Sequence, residues 1–235
     1  MFAACGDAEG GPAGPAVYYT VSYNAGVGGA AAPSSQTVRA GTAITLPQKG
    51  SMTQSENRAL ITWKSGGLCY GAGASYTVTA DATFTAQWSQ TLSEIAALLT
   101  NAPGGASAAD PVPLAITVDI GINSGMALID VLQSAGKYVA LDLSACSMTG
   151  MNGVFDADDT VSTGKDKIVS LILPDTAQGI QRGDTYNPTF KHFTALTEIS
   201  GRNVTAIGDW AFADCTAALT TVSFPKATSV GILAF

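Results

Sequence analysis

Histidine, cysteine and clustered carboxylates are the side chains of this sequence that could act in catalysis or bind a metal. The chain contains a single histidine, His192, and four cysteines, Cys5, Cys69, Cys146 and Cys215. A single histidine excludes a histidine-rich metal site, and cysteines this far apart do not have the spacing of a C-x-x-C motif or a zinc knuckle. For Cys215 the sequence favours packing as a small apolar side chain over a role as a reactive thiol.

The densest carboxylate cluster is formed by Asp156, Asp158 and Asp159. It lacks the D-x-[DN]-x-[DN]-G frame and the distal glutamate of a calcium loop, so we interpret it as a solvated insertion. Ser124 does not fit the G-x-S-x-G pattern of a hydrolase nucleophile. We therefore predict no catalytic residue, no metal, no cofactor and no enzymatic activity.

Composition narrows the class of protein further. Of the 235 residues, 46% are hydrophobic and only 12% are charged, which is enough apolar surface to form a core. The net charge is -7, and residues 89–235 carry seven basic and fourteen acidic side chains. An acidic chain without a basic cluster lacks the electrostatic footprint of nucleic-acid binding. No apolar run approaches the roughly 20 residues of a membrane-spanning helix.

Residues 17–88 alternate between apolar and polar side chains, as strands with one buried face do. The alternation is clearest around Val21 and from Ala82 to Trp88. It predicts a small β-rich module whose core includes Trp63, Phe84 and Trp88.

Residues 89–136 contain two segments with helical periodicity, separated by an apolar strand from Pro113 to Ile120. Apolar residues recur at helical spacing from Leu92 to Leu99 and from Met126 to Leu132. We interpret this region as a junction that caps the segment after it.

Residues 137–235 contain a repeat of 23 residues. Leu196-Thr197-x-Ile199 recurs as Leu219-Thr220-x-Val222, and the segment beginning at Thr205 recurs at Thr228. A fixed period of 20 to 29 residues with this leucine spacing is typical of a leucine-rich repeat. The predicted fold class is therefore a multidomain α+β protein, in which a small β-rich module, which the first resemblance given below implies is β-grasp-like, precedes a leucine-rich-repeat solenoid with a strand and a short helix or turn in each unit.

Two family resemblances rest on these patterns. The order Tyr19-Thr20-Val21-Ser22-Tyr23-Asn24, then Ile44-Thr45-Leu46-Pro47, then Trp63 and Trp88 resembles the Listeria-Bacteroides repeat, also called the internalin B-type repeat, a β-grasp-like module of bacterial surface proteins. The segment Ile207-Gly208-Asp209-Trp210-Ala211-Phe212-Ala213-Asp214-Cys215 resembles the BspA-type leucine-rich repeat of bacterial surface proteins. Both resemblances imply a bacterial surface protein without catalytic activity.

Strand alternation within the repeats predicts one outward face that could bind a partner. Its members are Asp142, Ser170, Ile172, Glu198, Ser200, Thr221 and Ser223. Such a face is the usual binding surface of a repeat protein. For any single one of these residues, a solvated strand position without a binding role is an equally good interpretation, because outward polar side chains occur on every half-buried strand.

The N-terminus suggests a lipid anchor. Phe2-Ala3-Ala4-Cys5 resembles a bacterial lipobox, in which the cysteine sulfur receives the lipid, and residues 1–16 have the composition of a flexible tether. The alternative is an incidental cysteine near a terminus. Because residue 235 falls in the middle of a repeat, the pattern also predicts a fragment of a longer repeat protein.

Together these features predict a lipid-anchored protein of the bacterial cell envelope, on the outer surface or in the periplasm. Its predicted function is protein binding or adhesion through the repeat face, with a protein or other macromolecule of a host or neighbouring cell as partner. It would contact the membrane only through the lipid and would bind no nucleic acid. The alternative function is a structural spacer without a specific ligand.

Overall fold

The computed structural model describes residues 15–56, 58–120, 122–147, 164–180, 190–213, 215 and 218–235. Within these ranges strands outnumber helices and form several separate sheets. The two α-helices lie on either side of β10 in the sequence.

The first nine strands form the N-terminal sheet module. They are β1 (Tyr18–Asn24), β2 (Gly29–Ala30), β3 (Gln36–Arg39), β4 (Ala43–Thr45), β5 (Thr53–Gln54), β6 (Leu60–Ser65), β7 (Leu68–Gly71), β8 (Ser75–Thr77) and β9 (Ala82–Trp88). Five of them form a mixed sheet in the order β3-β1-β9-β6-β7, in which β1 and β9 are parallel. The pairs β2–β5 and β4–β8 are separate antiparallel ladders, and β7 lies at an edge of the main sheet.

The core of this module is aromatic. Val21, Trp63 and Phe84 are fully buried, and Trp88 is 8% exposed, which confirms the core predicted from the alternation. The indole N–H of Trp63 donates to the Pro47 carbonyl at 2.8 Å, so the buried polar atom of this side chain has a partner.

Two helices follow, in the region where the periodicity predicts them: α1 (Leu92–Asn101) and α2 (Ile122–Ala135). Thr91 caps α1, and its hydroxyl and the Glu94 carboxylate each accept the other residue's backbone N–H. This capping box satisfies two N–H groups that have no partner within the helix. Ile95 and Leu99 of α1 and Leu128 of α2 are buried in the same core as the strands that follow.

The remaining strands form two sheets in which all paired strands are parallel, and we call these two sheets together the ladder. They are β10 (Val112–Ala115), β11 (Val139–Asp142), β12 (Ile168–Ile172), β13 (Gly179–Ile180), β14 (Glu198–Ser200), β15 (Ala206–Ile207), β16 (Thr221–Ser223) and β17 (Ser229–Val230). One sheet has the order β10-β11-β12-β14-β16 and another has the order β13-β15-β17, and all of these pairs are parallel. A single turn of 3-10 helix at Lys165–Lys167 leads into β12.

The 23-residue period appears in the ladder as side chains stacked on their equivalents. The rings of Phe212 and Phe235, which are 23 residues apart, are stacked with centroids 5.0 Å apart, and Phe190, which precedes Phe212 by 22 residues, also stacks on Phe212 at 4.8 Å. Threonine hydroxyls connect the units in the same way, since Thr220 Oγ1 donates to the Thr197 carbonyl at 3.1 Å and Thr228 Oγ1 donates to the Thr205 carbonyl at 3.2 Å. Each unit therefore completes its core and its hydrogen bonds through its neighbour.

The predicted fold class is wrong. The structure is a β-rich fold of several sheets and not a solenoid of strand-plus-helix repeats. The segment 209–213, where the prediction allows a short helix or a turn, consists of turns in the described chain. Its residue Trp210 has a φ of 57°, and Leu233, the equivalent residue of the next unit, has a φ of 51°. An α-helix requires successive residues in the right-handed region, so a left-handed residue at this position prevents one.

Candidate binding face

The seven residues predicted to form a binding face lie on four neighbouring strands of the ladder. The register aligns them in two rows across the sheet: Ala140, Ser170, Glu198 and Thr221 in one, and Asp142, Ile172, Ser200 and Ser223 in the other. We call these two rows the ladder face. The structure thus brings all seven side chains to one side of one sheet.

Strand alternation explains why these residues share a side. Between the two rows runs a third, formed by Leu141, Leu171, Ile199 and Val222, of which the first three are buried. Successive side chains of a strand point to opposite faces, so burial of this middle row turns both flanking rows outward. The 23-residue period then repeats the arrangement from β14 to β16.

The ladder face is shallow and weakly acidic. Most of its side chains are small, and Asp142 and Glu198 are its two charged groups. Asp142 Oδ1 accepts the backbone N–H of Ser144 at 2.8 Å, which fixes the turn after β11. Glu198 is exposed, as are Thr221 and Ser223, whereas the β12 members Ser170 and Ile172 are half-buried. The accessible part of the face therefore lies toward β14 and β16.

The N-terminal sheet module contacts the ladder at the segments that follow its strands. Thr62 Oγ1 donates to the Ala145 carbonyl at 2.9 Å, and Arg202 Nη1 donates to the Gly67 carbonyl at 2.6 Å. Nearby, the backbone N–H of Cys69 donates to Asp175 Oδ2 at 2.7 Å. These bonds involve β6, edge strand β7 and the turn between them, so side chains of the ladder and its neighbouring segments cover an edge that would otherwise be open.

Asp175 is the most unusual residue at this contact. Its side chain has no solvent exposure, and Arg202 Nη1 lies 3.5 Å from Oδ2. Its other oxygen, Oδ1, accepts no hydrogen bond from the described residues. Burial raises the pKa of this carboxyl, while the Cys69 N–H and the Arg202 charge oppose the shift. No role was predicted for Asp175 from the sequence, where its one distinguishing feature is its position immediately after Pro174, at the end of the apolar strand.

The cysteines that the structure describes are buried. Cys69 and Cys146 are free thiols, and Cys215 Sγ donates to the Phe190 carbonyl at 2.9 Å. Burial raises the pKa of Cys146 to about 12, which disfavours the nucleophilic thiolate. The burial of Cys215 agrees with the packing role predicted for it. The predicted lipidation site Cys5 and the cluster at Asp156, Asp158 and Asp159 lie outside the described residues.

Metal-binding groups and membrane spans were sought in the same part of the chain. There, no three or more His, Cys, Asp or Glu side chains are grouped so that they could hold a metal ion. No helix within the described ranges is both long enough and apolar enough to cross a membrane.

In comparisons with known proteins, no family model, curated protein or solved structure matched this chain. The two family resemblances seen in the sequence therefore stay predictions. The function proposed below is consequently based on the geometry of the ladder face.

Proposed function

We propose that this chain is a non-enzymatic recognition module that binds a protein or other macromolecule through the ladder face. The observation that carries the proposal is the alignment of seven outward side chains from four strands in two rows. Small side chains let a partner approach the sheet closely, while Asp142 and Glu198 favour a partner with basic groups.

The backbone beneath the ladder face supports this role because it is held in place on several sides. Buried leucine and isoleucine side chains anchor the strands from below, and the contact with the N-terminal sheet module fixes the turns after β11, β12 and β14. A surface that is already ordered loses little conformational entropy when it binds.

The alternative function is a structural spacer, and it would depend on the same contact between the N-terminal sheet module and the ladder. Hydrogen bonds across this contact would transmit force or hold a fixed distance without any ligand. The two functions differ in one property, because only recognition requires the side chains of the ladder face.

The test compares two charge reversals of equal size. Glu198→Lys changes the exposed centre of the ladder face, and Asp130→Lys changes an exposed aspartate on α2. The purified chain and both variants are immobilised and incubated with bacterial envelope and host extracellular-matrix extracts. We expect proteins captured by the unmodified chain and by Asp130→Lys to be lost with Glu198→Lys. Capture that is identical for all three proteins would contradict recognition through this face and favour the spacer.

The proposed location in the bacterial cell envelope depends on Cys5. If this cysteine carries a lipid, Cys5→Ser in the natural precursor should move the protein from the membrane fraction to the soluble fraction. Unchanged partitioning would contradict the lipid anchor without bearing on the ladder face.

A further inference from the structure

A cleft of about 710 Å³ lies where the N-terminal sheet module meets the ladder. One wall is the segment 69–75, which includes the turn between β7 and β8. The other wall consists of residues that follow β12, β14 and β16, namely Asp175, Thr176, Gln178, Asn203, Thr205 and Lys226. A cleft of this size between two units of a chain has the volume and position typical of small-ligand sites.

The walls of the cleft are held together by the buried carboxylate. Asp175 Oδ2 accepts the Cys69 N–H at 2.7 Å, and Asn203 Nδ2 donates to the Asp175 carbonyl at 2.6 Å. Because the Asp175 side chain is inaccessible, its role is to fix the spacing of the walls rather than to touch a ligand.

On the ladder side of the cleft, two lining side chains donate hydrogen bonds to other lining residues. Lys226 Nζ donates to Asn203 Oδ1 at 2.6 Å, and Thr205 Oγ1 donates to the Gln178 carbonyl at 2.8 Å. Lys226, Thr205 and Gln178 are exposed. After these bonds, the Lys226 ammonium still has two N–H groups to donate, and the Thr205 hydroxyl can still accept a hydrogen bond. The side-chain amide of Gln178 can both donate and accept.

The opposite wall provides an aromatic ring beside small residues. Tyr70 is held at its position by edge contacts with Tyr76 and Phe84, with centroids 5.5 Å and 5.6 Å away. Next to it, a Cβ at Gly71 would lie 3.7 Å from Thr176 Cγ2, so the walls approach closely at that point. Beyond Gly71, the side chains of Ala72 and Ala74 are too short to fill the space.

We propose that this cleft binds a neutral oligosaccharide. Of its two charged lining residues, the Asp175 side chain is inaccessible and lies beside Arg202, and the Lys226 ammonium already donates to Asn203 Oδ1, so most of the accessible lining is uncharged. The accessible groups are amides, hydroxyls and an ammonium, and sugar hydroxyls can both donate to and accept from such a mixture. The Tyr70 ring adds an apolar surface suited to the C–H face of a sugar ring. This site is separate from the ladder face and does not depend on the function proposed for it.

The experiment is a titration of the isotope-labelled chain followed by amide chemical shifts. The neutral probes are cellotriose, maltotriose and chitotriose, each at up to about 10 mM, which detects the weakest relevant affinities. Trigalacturonate and trilysine are the charged comparators. We expect at least one neutral trisaccharide to shift amides of residues 70–75 and of Asn203, with smaller shifts from the charged probes.

Variants assign the binding to the cleft. Gln178→Ala removes an exposed amide from the lining, Ala72→Trp fills the space beside Tyr70, and Gln133→Ala removes an exposed amide on α2 as the matched control. Both cleft variants should weaken binding about tenfold or more, whereas the control should stay within about twofold. If Ala72→Trp fails to fold by circular dichroism, Gln178→Ala alone decides. Three results would overturn the proposal: no binding of a neutral probe, binding only of a charged probe, or equal affinity in Gln178→Ala and Gln133→Ala.

Discussion

The N-terminal sheet module builds its core from aromatic side chains on strands of both directions, whereas the ladder repeats the same rows of aliphatic and phenylalanine side chains from strand to strand. In the module, Tyr23, Tyr70 and Tyr76 all contact the central ring of Phe84. In the ladder, Ile199 is fully buried, while Val222, its equivalent on the outermost strand, is 39% exposed. The difference teaches that burial in the ladder depends on having a neighbour on each side.

The largest effect should come from the phenylalanine stack of the ladder. Phe212 lies between two rings and is fully buried, so Phe212→Ala should lower the free energy of unfolding by about 3–5 kcal/mol. Phe235 occupies the equivalent position one repeat later but is 50% exposed, so Phe235→Ala should lower it by less than about 1 kcal/mol. Urea denaturation measures both values. If Phe212→Ala and Phe235→Ala lowered the free energy of unfolding equally, a ring's position in the ladder would not determine how much it stabilises the fold.

The contact between the two regions should show the next largest effect. Asp175→Ala leaves the Cys69 N–H without its acceptor and should lower the free energy of unfolding by about 1–3 kcal/mol. Fluorescence of Trp63 and Trp88 reports on the sheet module, and that of Trp210 reports on the ladder. The unmodified chain should unfold in a single transition. If this contact couples the two regions, that transition should separate into two in Asp175→Ala.

Asp175→Asn is the matched control, because its amide oxygen can still accept the Cys69 N–H. Burial raises the pKa of the Asp175 carboxyl above its ordinary value of 3.8, so the folded state takes up this proton more readily than the unfolded state. The carboxyl therefore contributes less stability as pH rises through its folded pKa. Asp175→Asn should lack this dependence and be at least as stable as the unmodified chain near neutral pH. A loss as large as that of Asp175→Ala would show that the charge itself is required.

The smallest effect concerns Glu94 at the start of α1. Its contribution to stability depends on pH in the opposite direction to that of Asp175. Its hydrogen bonds with Arg58 and the Thr91 N–H lower the pKa of Glu94 from 4.5 to about 2. A carboxyl with a lowered pKa contributes stability above its unfolded pKa and loses it as pH falls through the folded value. The unmodified chain should therefore lose more stability than Glu94→Gln between pH 4.5 and about 2, measured as the urea midpoint against pH. Parallel curves would contradict the contribution of this contact.

Much of the local structure follows from sequence pattern. Alternation places Trp63 and Phe84 in the core, and the apolar periodicity from Leu92 to Leu99 predicts the helix found as α1. The 23-residue period aligns Glu198 with Thr221 and Ser200 with Ser223, so the part of the ladder face on β14 and β16 follows from spacing alone. Its binding role stays a prediction, since spacing does not distinguish a binding surface from a solvated one.

Other features depend on contacts that no local pattern encodes. Cys69 and Asp175 are 106 residues apart, and their hydrogen bond exists only because β7 is laid against the segment after β12. The segment around Trp210 forms turns and not a short helix because Trp210, like Leu233 one period later, adopts a left-handed backbone that the residue type alone does not predict.

The sequence by itself determined the alternation, the helical periodicity and the repeat register, because these depend on neighbours in the chain or on equivalent residues one period away. Only the tertiary structure decided which sheet edge is covered, where Asp175 is buried and that a cleft opens between the two regions. Those features arise from the relative placement of distant segments, which the balance of packing and desolvation over the whole molecule determines.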